Sequence, residues 1–123
     1  MNYSSINDDL MQRFPELESL FQEQFEFWKG SDIPPHCFCA DALNRYVTEL
    51  LREDINQQQI EKIFEFYEEL ASCDDENVRN LLQVSLLEYL WDEEFVYKNA
   101  LTHMLPNTRI INNEIASYLR GYT

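Results

Sequence analysis

Only two glycines, Gly30 and Gly121, occur in this 123-residue chain, and both fall near the ends of helical patterns. All-β domains need many tight turns, and glycine is the residue that most readily supplies their left-handed conformations. The scarcity therefore argues against a sandwich or barrel and for long helices joined by few loops. With 45 % hydrophobic and 14 % aromatic residues, the chain can bury a core despite its high charge, which argues against disorder. At this length a single domain, residues 1–123, is expected.

The apolar spacing predicts six to seven helices. A short first helix starts at Asn7, with Asn7 as its cap and Asp8 and Asp9 in the first turn, where acids suit the helix dipole. Pro15 suits the first position of a second helix. Its residues Leu17, Leu20, Phe21, Phe25, Phe27 and Trp28 span an arc of about 160°, read as a core-facing stripe. Gly30 ends it, and residues 30–36 form a loop. A third helix runs from about Cys37 to Glu53 with Ala40, Leu43, Tyr46, Val47, Leu50 and Leu51 on one face. Asn56 caps a fourth, whose core face is Ile60, Ile63, Phe64, Tyr67, Leu70 and Ala71. Asp74 caps a fifth, about 75–91, which is apolar on nearly every face of its second half and so sits at the centre of the fold. A sixth covers about 94–105 and is ended by Pro106. A seventh starts at Asn107 or Thr108 and runs through Ile110, Ile111, Ile115, Tyr118 and Leu119. The class is all-α, either a compact bundle or a short stack of helix hairpins. The likeness of Phe25-Glu-Phe-Trp28 to Phe64-Glu-Phe-Tyr67 is a weak hint of a degenerate repeat and favours the stack.

The charge is negative and unevenly spread. Of a formal net of −14, residues 57–94 hold −9, from eleven acids against Lys62 and Arg79. Residues 95–123 hold +2, with Glu114 against Lys98, Arg109 and Arg120. Such a field attracts a basic partner and repels nucleic acid and anionic membrane. On the fourth helix Glu61, Glu65 and Glu68 recur at i, i+4 and i+7, with Glu69 beside them. Asp74, Asp75 and Glu76 lie at the turn into the fifth helix, and Asp92, Glu93 and Glu94 at its far end, roughly 25 Å away at 1.5 Å per residue. If helices four and five pair antiparallel, the glutamate stripe joins the two clusters along one edge. These ten acids are the expected partner-binding residues. Phe66 lies about 100° from the centre of its helix's core stripe. It is covered by a second packed helix, or it is an aromatic anchor inside the acidic surface.

No constellation points to catalysis. His36, Cys37 and Cys39 form an H-C-x-C cluster, but zinc needs four ligands and only Cys73 and His103 remain as soft donors. A nucleophilic cysteine needs a histidine base, and nothing in the spacing places His36 or His103 beside a thiol. No Glu-x-x-His pair, calcium loop or glycine-rich phosphate loop occurs. The expectation is a protein with no enzymatic activity, no metal and no cofactor. Met1 to Leu10 carries acids where a secretion signal carries lysines, and no segment approaches the ~20 apolar residues of a membrane span. Three cysteines, two of them separated by a single residue, read as free thiols in a reducing cytoplasm.

The segment Asn80-Leu-Leu-Gln-Val-Ser-Leu-Leu-Glu-Tyr-Leu-Trp-Asp92, continued by Ala100-Leu101 and Leu105-Pro-Asn-Thr108, resembles a family of small helical bacterial proteins. They are immunity proteins of polymorphic and contact-dependent growth-inhibition toxin systems. The resemblance spans about a third of the chain, residues 80–118. Where that pattern has a glycine after Leu-Glu-Tyr-Leu, this chain has Trp91. The matching positions are structural, so no binding residue carries over. The resemblance implies a cognate toxin domain as partner. A nuclease toxin with a basic groove would suit the acidic edge, whether the groove is plugged directly or bound at an adjacent site. A cytoplasmic adaptor for another basic or helical partner is the alternative. The toxin's activity and the oligomeric state stay open.

Overall fold

A computed structural model describes residues 1–29 and 32–119, so Gly30 and Gly121 lie outside the described residues, as does part of the 30–36 loop. Among the described residues there are seven helices and no strand, as the glycine scarcity and the periodicity predict. A 3-10 turn, Tyr3–Ser5, capped by Asn2, leads into α1, Ile6–Arg13. Asn7 is therefore inside the helix and not its cap. Its side-chain amide donates instead to the Ile33 carbonyl at 2.8 Å, which ties α1 to the segment before the third helix. Pro15 opens α2 at its first position, as a 3-10 turn Pro15–Leu17 continued by Glu18–Phe27.

Helix α3 occupies residues 35–53, beginning at Pro35 and not at Cys37, with a π-helical turn at Cys39–Leu43. Asp54 and Asn56 take left-handed backbone conformations, with φ of 53° and 55°, and make a tight turn into α4, Gln57–Ala71. Asn and Asp tolerate that region better than other non-glycine residues. The conformation denies Asn56 its expected role, since its side chain makes no capping hydrogen bond. Helix α5, residues 76–90, holds a second π-helical turn, Leu82–Leu87. Asp75, not Asp74, caps it, its side chain accepting from the Asn77 amide at 2.9 Å. Helix α6, Glu94–His103, stops where Met104 turns extended ahead of Pro106. Pro106 itself opens α7, Pro106–Leu119, in place of Asn107 or Thr108.

Helices α4 and α5 form a central pair, and α3, α6 and α7 each pack on both of them. This is a compact bundle and not a stack of hairpins in sequence order. The centrality of α5 follows from its composition: Val78, Leu81, Leu82, Leu86, Leu87 and Leu90 are all fully buried, each contributing about 1.5–3 kcal/mol of apolar burial. The two π-helical turns meet in the core. There the buried Asn44 side chain donates to the Ser85 carbonyl, and the Ser85 hydroxyl shares a hydrogen bond with His36 Nδ1. Side chains thus satisfy polar groups in a stretch where the helical ladder is distorted.

Helix α2 departs from expectation. None of Glu18–Phe27 is fully buried. Leu17, just before it, reaches the core, and Leu20, Phe21 and Trp28 pack on its edge. Phe25 and Phe27 are 41 % and 78 % exposed. At 100° per residue they lie about 200° apart, so one covering neighbour cannot bury both, and the main neighbour of Glu18–Phe27 outside its own helix is the π-helical turn of α3. Tyr89, Ile110 and Tyr118 are likewise exposed.

Candidate protein-binding surface

Glu61 and Glu65 lie exposed on α4, between two covered flanks. One flank is closed by α1, where Phe14 meets Phe66 edge-on with ring centroids 5.9 Å apart. On the other, His103 lies against Phe64 with centroids 5.8 Å apart, and α7 packs alongside. Phe66 is buried by that first contact, with the Arg13 guanidinium 5.2 Å from its ring centroid. It is a core residue covered by a second helix, not an aromatic anchor.

The other two glutamates of the stripe are consumed by structure. Glu68 caps α7. One carboxylate oxygen accepts from the Thr108 amide at 2.9 Å and hydroxyl at 3.0 Å, and the other from the Asn107 amide at 3.1 Å and side chain at 2.9 Å. Burial pushes its pKa up, but the four donors together outweigh burial and hold it below the ordinary carboxylate value. Glu69 forms a two-pronged pair with Arg13, whose hydrogen bond is the main cause holding that carboxyl low.

The two flanking clusters divide in the same way. Asp75 caps α5 and also accepts from the Tyr3 amide at 3.0 Å. Asp74 and Glu76 stand free in solvent. Glu93 pairs with Arg52 through contacts of 3.0 and 2.5 Å, tying the α5–α6 turn to the end of α3, next to the start of α4. Glu94 pairs with Lys98 one turn along α6 at 2.8 Å. The Asp92 carboxylate has no partner among the described residues. Of the ten acids singled out, Glu68, Glu69, Asp75, Glu93 and Glu94 are bonded within the molecule. Glu61, Glu65, Asp74, Glu76 and Asp92 hold no side-chain hydrogen bond or ion pair to any described residue. In the sequence only the i, i+4 spacing of Glu94 and Lys98 hints at this division, because the partners of Glu68, Glu69 and Glu93 lie 39 to 56 positions away.

The His36, Cys37 and Cys39 cluster does not assemble into a site. Cys39 is fully buried, and burial pushes its thiol pKa far up. His36 turns its Nδ1 to Ser85 and lays its ring on Tyr3 with centroids 5.6 Å apart. Cys73 is half-buried, its thiol 3.4 Å from the Met1 carbonyl. Among the described residues no three His, Cys, Asp or Glu side chains gather as a metal would require. No described helix is long and apolar enough to cross a membrane.

A second feature falls outside the acidic stretch. A groove of about 470 Å³ opens between α1, α2 and residues 32–35, with Phe21 and Phe25 on its floor and Asp8 and Asp32 among its lining. The sequence carried one usable signal for it, the Phe25-x-Phe27 spacing, which leaves one ring uncovered unless a helix is flanked on two sides.

The profile of a protein family described as a domain of unknown function (DUF7674) matches residues 7–119. No curated protein and no solved structure matches the chain.

Proposed function

We propose that this chain, which belongs to the DUF7674 family, is a non-catalytic binding protein that captures a basic protein domain, and that this domain is a bacterial toxin it neutralises in the cytoplasm. The observation that carries the reading is the set of free carboxylates. Glu61, Glu65, Asp74, Glu76 and Asp92 are all exposed, lie within a stretch of net −9, and do no structural work among the described residues. An excess of unpaired surface carboxylates is self-repulsive, and a cationic partner relieves that repulsion. The same field speeds encounter with a basic groove and disfavours acidic competitors. The three free thiols, Cys37, Cys39 and Cys73, suit a reducing compartment. The toxin identity comes from the resemblance of residues 80–118 to immunity proteins. Carboxylates alone recognise charge and not identity, so an adaptor for another basic partner is the second reading.

Co-expression with the product of the gene directly upstream tests both readings. A toxin–immunity pair gives rescue of growth and co-purification that weakens as salt is raised. Reversal of Glu61, Glu65, Asp74 and Glu76 to lysine slows association about tenfold or more while the fold survives. Capture of a harmless basic protein in place of a toxic one supports the adaptor. Rescue undiminished by the fourfold reversal removes the acidic surface from either account.

A further inference from the structure

We infer that the groove between α1, α2 and residues 32–35 docks an arginine-bearing, aliphatic segment of a protein partner. Its volume of about 470 Å³ falls in the range of sites that enclose one or two side chains. The floor is aromatic: Phe21 and Phe25 stack with planes 21° apart and centroids separated by 6.5 Å, and Phe25 keeps 41 % of its surface open. Ile33, Pro34 and Pro35 add an apolar wall.

The charged side chains lining the groove, Asp8 and Asp32, are both acidic, and Tyr3, Ser4 and Asn7 complete its polar lining. Asp8 on α1 and Asp32 on the opposite segment are both exposed, and they are the sequence neighbours of Asn7 and Ile33, whose hydrogen bond links the two walls. No lysine or arginine lines the groove among the described residues. Two carboxylates and an open aromatic face together match a guanidinium, which brings a permanent positive charge, several donors and a flat face that stacks on a ring. A lysine satisfies the charge alone. Aliphatic residues next to the arginine would cover Phe25 and the proline wall. The inference rests on the reading that the partner is a basic protein, and it does not require that partner to be a toxin.

The test uses the full chain and three capped octapeptides: alternating Leu–Arg, alternating Ser–Arg and alternating Leu–Glu. Binding is followed by amide chemical-shift mapping and titration. The inference predicts that the Leu–Arg peptide shifts Asn7, Asp8, Phe25 and Ile33, and that the other two bind about tenfold more weakly or not at all. Phe25→Ala weakens the Leu–Arg peptide about tenfold, Asp8→Asn with Asp32→Asn weakens it and flattens its salt dependence, and Phe95→Ala, remote and exposed, changes nothing. Helicity measured on each variant shows that folding is retained, and the Asp pair serves if Phe25→Ala does not fold. Shifts that map to Glu61 and Glu65 instead, equal binding of the Ser–Arg peptide, or groove shifts produced by concentrating the protein alone overturn the inference; the last would assign the groove to a second copy. Groove binding without capture of the upstream product would leave this inference standing and remove the toxin reading. Capture that survives Phe25→Ala would do the reverse.

Discussion

The tetrapeptides Phe25-Glu26-Phe27-Trp28 of α2 and Phe64-Glu65-Phe66-Tyr67 of α4 differ in one residue, yet their surroundings are opposite. On α4, Phe64, Phe66 and Tyr67 are all at most 1 % exposed. On α2, Leu20, Phe21 and Trp28 pack on the core edge, whereas Phe25 and Phe27 of the tetrapeptide face solvent. The chemistry of the two segments is the same, so the difference comes from their neighbours. Helix α4 is flanked on two sides, by Phe14 and Arg13 of the α1 end and by α6 and α7, and so can hide rings about 200° apart. Within α2, the Pro15–Leu17 turn packs on α1, and Glu18–Phe27 rests mainly on α3. A short motif thus reports the periodicity of a helix and not the number of helices that will surround it. The surplus aromatic surface of α2 is left open to solvent.

Truncations give the largest contrast. Phe64→Ala should cost about 3–5 kcal/mol in denaturant unfolding, as expected for deleting a fully buried ring, whereas Phe25→Ala should stay within about 1 kcal/mol. Comparable losses would mean that α2 is packed as tightly as α4. Phe66→Ala should come next at about 3 kcal/mol, because it also strips the surface beneath Arg13. Phe27→Ala should be neutral within about 0.5 kcal/mol.

Among the acids of the stripe the contrast is smaller. Glu68→Ala removes the cap of α7 and should cost about 1–2 kcal/mol, while Glu61→Ala or Glu65→Ala should change stability by no more than about 0.5 kcal/mol. A loss at Glu65 equal to that at Glu68 would erase the division between structural and free carboxylates.

The smallest effect is in pH. Glu68 and Glu69 have folded pKa values below their unfolded ones. The stability they contribute is therefore present above the ordinary carboxylate range of ~4–5 and is lost as pH falls through their lowered folded values. Acid unfolding of the Glu68→Gln, Glu69→Gln double variant should show a shallower decline over that interval than the parent. An unchanged acid limb would mean that other groups set it.

The all-α class, the positions of all seven helix starts to within two residues, the core face of α4 and the centrality of α5 were legible, because each depends on local spacing. The caps were less so. Asp75 and not Asp74 caps α5, and Asn56 sits at a helix start in a backbone conformation that disables it. The acidic stretch was legible as composition, but the division of its carboxylates was not, because Glu68 is bound by Asn107 and Thr108 and Glu69 by Arg13, residues brought near only by the fold. The groove was hidden for the same reason: Asp8, Phe25 and Asp32 belong to three segments that mean little until they meet.

Hydrogen exchange of the free protein and of its complex with the basic partner tests the division between α2 and α4 most directly. Amides of α4 should exchange only through global unfolding, and those of α2 through cheaper local opening, since so little of α2 is buried. Partner binding should slow α2 together with the groove walls around Asn7 and Ile33, and leave the α4 core at its already maximal protection. Equal protection of the two helices in the free protein, or a partner that leaves α2 unchanged, would contradict the account.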